Sequence, residues 1–288
     1  MTIFACFKKG ISEASSRPKI VLLQWLFNAL FAAVAYALFS AVFASALGRS
    51  GLAADLMKKA DMNVLFEVLT TSGRPLGVML AVLLALILIY FLVSIFVHGG
   101  ILRGLVESSE DKRSGRVFFA GGSVYYGRFL RLTVYSLLLW VPALLFFSAV
   151  NVLIRAVTKD STNEPLTFTL SIFRIVLALF MIFLVKMIMD YARIGIAVED
   201  THQVFRVLLG SLRFVFRRPV RTLGLYYLLG IAGWVMFAAW RFLLAGLPMT
   251  TAGAVWAGFL LTQLFIAARG WLRIAYQAAQ LTNFQSQA

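Results

Sequence analysis

Six stretches of this sequence are apolar over about 20 residues or more, the length that a helix needs to cross the hydrocarbon core of a bilayer. They lie near 20–47, 76–98, 129–157, 166–192, 220–246 and 253–276. The chain of 288 residues is 61% hydrophobic with a mean hydropathy of +0.88, which is far more apolar than a soluble domain. The sequence therefore predicts an all-α integral membrane protein with six transmembrane helices arranged as three hairpins.

The distribution of basic residues predicts the orientation of these spans. The formal net charge is +15, but the Lys and Arg residues are scattered between apolar stretches, which argues against nucleic acid as a partner. With the N-terminus inside, 18 of the 27 basic residues lie in cytoplasmic connections, while the outer connections hold Arg49, Lys58, Lys59, Arg74 and Lys159. The positive-inside rule therefore places both termini in the cytoplasm. Anionic lipids of the inner leaflet are the partner that this charge predicts.

Amphipathic stretches flank several spans. The first, IFACFKKGISEASS, is predicted to lie in the membrane surface, with one apolar face formed by Ile3, Phe4, Phe7, Ile11 and Ala14. Similar basic stretches precede the third and fifth spans. The outer connection 48–75 is also amphipathic and is expected to rest on the external surface. Inside the spans, the polar residues Gln24, Asn28 and Gln263 are expected to form hydrogen bonds between helices.

Short similarities along the chain predict a threefold internal repeat. Arg17-Pro18 and Arg218-Pro219 occupy the same place in the first and third copies, ahead of an apolar span. The even-numbered spans end alike in GILRGLVE, DYARIGIA and GWLRIAYQ, which superposes three interfacial arginines: Arg103, Arg193 and Arg273. The chain then forms a single membrane domain, 1–288, built from units of about 1–105, 106–200 and 201–288. Each unit is a cytoplasmic-face amphipathic helix followed by a hairpin.

The fourth span ends in a charge cluster formed by Lys186, Asp190 and Arg193. On a helix these three residues share a face, because they are four and three residues apart. In the interpretation that we favour, Arg193 is the interfacial residue of the repeat and Asp190 neutralises it. In the alternative, Asp190 lines a polar path and handles a proton or cation, since an ionisable residue at membrane depth is a candidate for function. A partner contact is the third option.

The segment that follows predicts another surface helix. Asp200 is expected to cap its first amides, with Gln203 reaching back. Its basic cluster, Arg213, Arg217, Arg218 and Arg221, is a candidate contact for lipid headgroups, either as a specific phosphate site or, as we favour, through general attraction to an anionic leaflet. The only cysteine, Cys6, is interpreted as a packing residue rather than a site of acylation.

The sequence offers little that predicts catalysis. His98 and His202 are the only histidines and have no nearby ligand at metal-binding spacing, so no metal site is expected. No nucleophile elbow or phosphate-binding loop is present, and no cofactor is expected. We therefore expect a non-enzymatic accessory, assembly or membrane-organising component, with protein partners or a second copy of the chain as further contacts. The alternative is a small transporter or channel with a polar path near Asp190.

Four segments carry a resemblance to known proteins: RPKIVLLQWLFNALF, DYARIGIAVED, RFVFRRPVRTLGLYYLL and WLRIAYQAAQL. They resemble a broad group of uncharacterised six-span bacterial inner-membrane proteins, which is loosely similar to the membrane domain fused to some glycerophosphodiester phosphodiesterases. The resemblance implies a helical bundle in a bacterial cytoplasmic membrane, near lipid or envelope metabolism. It supplies no catalytic residues, because the hydrolase domain is absent from this sequence.

The predicted topology is tested by labelling cysteines introduced one at a time and reacted from either side of the membrane. Positions Thr162 and Ala252 are expected to react from outside, and positions Ser109, Gln203 and Ala288 from inside, because the basic connections stay in the cytoplasm. Reaction of position Gln203 with an impermeant reagent from outside would contradict the orientation.

Overall fold

The structure is a computed structural model that describes residues 2–47, 73–107, 114–159, 163–248 and 251–287; the outer surface helix expected in 48–75 lies almost entirely outside these ranges. The described residues are 93% helical and contain no strand. They form eight helices: α1 (Ile3–Ser15), α2 (Pro18–Leu47), α3 (Gly73–Val106), α4 (Ser114–Thr158), α5 (Glu164–Glu199), α6 (Val204–Arg217), α7 (Pro219–Ala245) and α8 (Ala252–Gln285). All except α1 and α6 are long and apolar enough to cross a membrane. The prediction of an all-α membrane protein with six spans is confirmed.

The even-numbered spans are longer than their apolar stretches. The predicted ends near 98, 192 and 276 are passed by about a turn or two in α3, α5 and α8, which end at Val106, Glu199 and Gln285. Polar residues in these extra turns are buried against neighbouring helices, as Gln277, Gln280 and Asn283 show in α8. Hydropathy ends a span where polar residues begin, but here protein contacts continue the helix.

α4 merges an expected surface helix with the third span. Its 45 residues extend about 68 Å, more than twice the hydrocarbon thickness of about 30 Å. Pro18 and Pro219 begin α2 and α7, because proline lacks a backbone N–H and is accepted at the first helical position. The corresponding position in the second stretch is Phe129, so the helix continues. Pro142 lies within α4 without ending it.

The described residues fall into two compact units, of which one is Leu22–Val97. Within it, Tyr90 joins the two spans: its hydroxyl donates a hydrogen bond to Asn28 Oδ1 at 3.2 Å. The rings of Phe27 and Phe31 pack on Tyr90 at centroid distances of 5.9 and 4.9 Å. The expected inter-helix role of Asn28 is thereby confirmed. Gln24 is buried, and its Oε1 has no hydrogen-bond partner among the described residues.

The other unit, Met1–Val21 with His98–Ala288, has its core at one end of its spans. We call this end the basic end, because the amphipathic segments with their Lys and Arg residues also lie there. The largest fully buried side chains include Ile101, Leu102, Phe129, Leu132, Met187, Tyr191, Ile194, Ile196, Leu225, Leu229, Ile274 and Gln280. Toward the other end, apolar side chains such as Phe168, Trp234 and Leu264 are 68, 71 and 66% exposed. Side chains of this kind suit contact with lipid.

α1 packs along the C-terminal part of α8 through small residues. Cys6, Gly10 and Ala14 are buried in this contact, and a Cβ on Gly10 would lie 2.6 Å from the carbonyl oxygen of Ala275. Of the apolar face expected to enter the membrane, Phe4 is 72% exposed, but Ala14 is fully buried. The helix therefore differs from a free surface helix: small side chains let the two backbones approach, and protein covers the face that they form.

The two other amphipathic segments pack in the same manner. α6 lies on α5, where a Cβ on Gly195 would be 2.7 Å from Val207 Cγ1. The first part of α4 lies on α3, where a Cβ on Gly121 would be 2.9 Å from the carbonyl oxygen of Gly99. Each segment thus contacts the end of the even-numbered span before it, and α1 contacts the last span. A threefold repeat would produce this cyclic order, but the repeat itself stays a prediction.

Gly10→Leu tests the docking of α1 on α8, with the buried Cys6 thiol as the reporter. The added side chain meets the α8 backbone, and overpacking of this kind costs about 1–3 kcal/mol. If the Cys6 thiol reacts with maleimide only when α1 has separated from α8, the labelling rate should rise about tenfold for each 1.4 kcal/mol by which the docking of α1 is destabilised. Gly10→Ala should give a smaller acceleration.

Gly210→Leu is the matched control, since nothing lies within 4 Å of a Cβ on Gly210. It should leave the Cys6 labelling rate unchanged. Equal rates in wild type and Gly10→Leu would show that close approach at Gly10 does not hold α1 in place.

Candidate functional site

The predicted charge cluster on α5 contains one direct ion pair. Arg193 Nη1 lies 3.1 Å from Asp190 Oδ1, and the two side chains are 22 and 16% exposed. Lys186 is exposed and acts on the same carboxylate from farther away, as does Arg273 of α8. The carboxylate is therefore surrounded by positive charge and has a guanidinium in hydrogen-bonding contact.

The other two interfacial arginines have different partners. Arg103 Nε donates to Glu107 Oε1 at 2.7 Å on α3. Arg273 is in hydrogen-bonding contact with Nε2 of His98, which joins α8 to α3. Because a guanidinium only donates, His98 Nε2 is the acceptor in this contact. Each of the three arginines therefore has a polar partner at the basic end.

A buried arginine outside the predicted sites connects α4 to the turn after α5. The Arg128 side chain is 8% exposed, and its Nη1 lies 2.5 Å from Asp200 Oδ1. Its Nη2 contacts His202 Nε2 at 3.1 Å, and its guanidinium lies over the Tyr125 ring at 5.5 Å from the centroid. Tyr125 in turn donates to the carbonyl oxygen of Ala197 at 3.4 Å. These contacts fix the end of α5 against α4.

The expected capping role of Asp200 is wrong. Asp200 is the C-cap of α5 in the left-handed conformation, with φ 45°, the only positive φ at a non-glycine residue among those described. α6 begins at Val204, and its N-cap, Gln203, forms no side-chain capping bond. The Asp200 carboxylate is directed to Arg128 instead. Aspartate is one of the few residues with a side chain that enter this conformation readily.

The three amphipathic segments end in an arginine at the same spacing from their buried residues. In each segment, one buried residue lies seven positions before the arginine, and a second buried residue lies three positions before it. The three sets are Gly10, Ala14 and Arg17; Gly121, Tyr125 and Arg128; and Ser211, Val215 and Arg218. We call Arg17, Arg128 and Arg218 the junction arginines, because each stands where an amphipathic segment meets a span.

Two junction arginines have a carboxylate partner within the chain. Arg17 Nη2 pairs with Glu13 Oε2 at 3.2 Å, and Arg128 pairs with Asp200. Among the described residues, Arg218 has no ion pair, and the same holds for its neighbours Arg217 and Arg221. The third junction therefore carries uncompensated positive charge.

α6 presents three different faces. Its buried face, formed by Val204, Val207, Leu208, Ser211 and Val215, packs on the other helices. Next to it runs an exposed apolar row in which Phe205, Leu209 and Phe216 are 47, 50 and 61% exposed. Beyond that row, at about 100° per residue, lies an exposed basic row of Arg206, Arg213 and Arg217. An apolar row beside a basic row is the pattern of a helix at the level of lipid headgroups.

The four predicted headgroup contacts are thus divided between two places. Arg213 belongs to the basic row of α6, beside a groove that also includes Arg206 and Phe284. The other three line a shallow surface depression at the start of α7, with Pro219 and Val220 between them: Arg217, Arg218 and Arg221. Among the described residues, no group of three or more His, Cys, Asp or Glu side chains is placed to hold a metal ion.

Sequence reasoning missed Arg128 and the partners of both histidines. In the sequence, Arg128 is one of several basic residues in the connection between the second and third spans. The fixed spacing of the junction arginines is a signal that could have identified it, but no proline follows Arg128 to mark the junction. The partners of His98 and His202 come from other helices, so local spacing could not indicate them.

Comparisons with known proteins give no match: no family model, no curated protein and no solved structure resembles this chain closely enough to be assigned. The resemblance to six-span bacterial inner-membrane proteins therefore stays a prediction. Functional argument rests on the geometry of the chain itself.

A double-mutant cycle tests the ion pair between the buried Arg128 side chain and the Asp200 carboxylate, which is 70% exposed. Asp200→Asn keeps a residue that tolerates the left-handed conformation but leaves the buried guanidinium without its counterion, so we expect a loss of about 1–3 kcal/mol. On an Arg128→Met background, the same change should cost little. Thermal unfolding in detergent measures all four proteins.

The control cycle is Arg103→Met with Glu107→Gln, because its arginine is the more exposed one. The Arg103 and Glu107 side chains are 29 and 40% exposed, against 8 and 70% for Arg128 and Asp200. Its coupling should be about 0.2–0.5 kcal/mol. Equal coupling energies in the two cycles would show that burial of the Arg128 side chain does not strengthen its pair with Asp200.

Proposed function

We propose that this chain is a non-enzymatic component of a bacterial cytoplasmic membrane that organises the inner leaflet and acts there as an accessory or assembly factor. In this proposal both termini and the basic end face the cytoplasm. Anionic phospholipids are its first partners, and other proteins or a second copy of the chain meet its exposed apolar spans. The observation that carries the proposal is the outward surface of α6, an apolar row beside a basic row on a helix that is fixed to the spans.

The position of α6 supports binding to lipid rather than to water-soluble partners. Phe205, Leu209 and Phe216 remain exposed although the adjacent face of the same helix is packed on other helices. In water such a row is unfavourable, at roughly 25 cal/mol for each Å² of apolar surface, whereas the acyl boundary of a bilayer accommodates it. The basic row then lies where phosphate groups are, and each arginine there gains about 1 kcal/mol from an anionic leaflet.

Rigid attachment is what would allow such a helix to organise lipid. A helix that only floats in the interface moves with the lipids around it. α6 is held on α5 near Gly195 and on α8, where Phe214 packs on Phe284 at a centroid distance of 5.3 Å. Its basic row therefore keeps a constant position relative to the spans, and the anionic headgroups that it attracts are gathered there.

A second candidate, a small transporter or channel, is supported by buried polar atoms at the basic end. Asp190 is 16% exposed, and the Gln280 side chain is 1% exposed with no hydrogen-bond partner for its Oε1 or Nε2 among the described residues. Tyr276 also has a buried hydroxyl without a partner there. Polar atoms of this kind are found along water-filled paths. The ion pair of Asp190 with Arg193 favours the structural role.

Reconstitution into liposomes separates the two candidates. With a trace of a self-quenching fluorescent anionic phospholipid, the wild-type chain should increase quenching, because it gathers anionic headgroups. Replacing Phe205, Leu209 and Phe216 together by Ser should abolish the increase, since the apolar row holds the basic row at headgroup level. The charge of the chain is unchanged in this variant, so electrostatic attraction alone would leave the quenching intact.

Asp190→Asn is the discriminating variant in the same liposomes. We expect it to keep the lipid effect and to lose only modest stability, because Arg193 lies near enough to the interface to reach water. A proton or cation flux that is present with wild type and lost with Asp190→Asn would move the protein into the transporter class, since an amide cannot carry the charge.

A further inference from the structure

Among the residues that the structure describes, the junction between α6 and α7 differs from the other two junctions in having no carboxylate counterion. We propose that the depression lined by Arg217, Arg218 and Arg221 is a binding site for one phosphate group, supplied by an anionic phospholipid. The lipid source rests on the proposed function, whereas the phosphate chemistry rests on the charges at this junction. The site deepens the proposed function by naming the ligand group and its place.

The three junctions differ in the source of a carboxylate for the arginine. Glu13, four residues before Arg17, neutralises the first junction. The residue four before Arg218 is Phe214, whose ring packs between those of Tyr191 and Phe284 at 5.1 and 5.3 Å. The second junction receives its carboxylate from another helix end, at Asp200. The third has neither source among the described residues, yet it holds three arginines within five positions.

The geometry of the junction suits a phosphate. The three arginines line one depression together with Pro219 and Val220. Guanidinium groups are planar donors that match the oxygens of a phosphate, and such bonds are about twice as strong as neutral ones. Pro219 is the first residue of α7, and its N-cap Arg218 forms no side-chain capping bond, so first-turn amides without an intrahelical acceptor are further donors at this helix end. The arginines remain the main part of the site.

Apolar side chains beside the arginines favour a lipid over a free anion. Val220 lies in the depression and is 78% exposed, and Phe216, one turn before it, is 61% exposed. A free phosphate would leave both in water. The phosphate of a membrane lipid would place them at its glycerol and upper acyl carbons, where their burial is favourable.

The first test compares two variants with equal loss of charge. The full chain in detergent is titrated with phosphatidylglycerol, and retained lipid is counted by native mass spectrometry. Arg218→Gln with Arg221→Gln should weaken retention about tenfold or more. Lys8→Gln with Lys9→Gln, exposed on α1 and outside the depression, should change it less than twofold. Equal weakening in both double variants would reduce the effect to general attraction and overturn the site.

The second test supplies the missing carboxylate. Val220→Glu changes an exposed side chain, so folding should be unaffected, and it puts a negative charge among the arginines. It should weaken phosphatidylglycerol retention about tenfold or more, whereas Val220→Gln, of nearly the same shape, should change it less than threefold. Retention of wild-type strength in Val220→Glu would overturn the proposal, because a site for an anion cannot tolerate an internal one.

Excess inorganic phosphate identifies the source of the ligand. If inorganic phosphate fails to displace phosphatidylglycerol, the lipid is the ligand. If inorganic phosphate displaces the lipid and its own binding depends on Arg218 and Arg221 in the same way, the site takes free phosphate and the lipid assignment is overturned. Failure of the liposome quenching assay with intact Arg218-dependent retention would remove the membrane-organising function and leave the site. The two proposals therefore fail separately.

Discussion

Close approach of helix backbones at small residues is the interaction on which the basic end of this protein depends. Gly10 faces Ala275, Gly121 faces Gly99, and Gly195 faces Val207. In a bilayer the hydrophobic effect does not drive one span against another, so van der Waals contact between closely approaching backbones is the main attraction. The amphipathic segments use the same contact at the membrane surface. Their arginines are consequently held at fixed positions.

Electrostatics then distinguishes segments that are otherwise attached alike. Where a junction arginine meets a carboxylate, as at Arg17 and Arg128, the charge is satisfied within the chain. Where none is available, at Arg218, the positive field is directed outward. The same contrast separates Asp190, enclosed by cations inside the protein, from the arginines exposed on α6. Internal pairs join residues of the fold at this end, and in the function that we propose the unpaired cations interact with the membrane.

Hydropathy and periodicity were sufficient for the class, the number of spans and their centres, because transfer of a long apolar helix into lipid dominates all other contributions. They failed at the ends of α3, α5 and α8, where buried polar residues such as Gln280 look like water-exposed ones in the sequence. Hydropathy and periodicity also predicted a break between the surface segment and the third span, as in the first and third units of the repeat. In those units a proline begins the span, but the second unit has Phe129 at that position, so α4 continues through it.

The charge sites show the same limit. The Asp190–Arg193 pair was predictable, because both residues lie on one helix at a favourable spacing. The partnership of Arg128 with Asp200 was not, since 72 residues separate the two. Asp200 next to Thr201 and Gln203 satisfied a local capping rule, yet a buried guanidinium from another helix attracts its carboxylate more strongly than the amides of α6 do. Long-range charge contacts of this kind require knowledge of which helices are neighbours.

The continuity of α4 has a mechanical consequence. At Arg17-Pro18 and Arg218-Pro219 the helix is interrupted, so a surface segment and its span do not share one continuous helix axis. At Arg128-Phe129 the helix is unbroken, so the surface segment and the part of the third span before Pro142 share one axis and act as a lever. When the third span changes its tilt to match a thinner or thicker bilayer, the lever turns the attached surface segment by the same angle against the end of α3. Bilayer thickness is thereby converted into torque at one of the three junctions only.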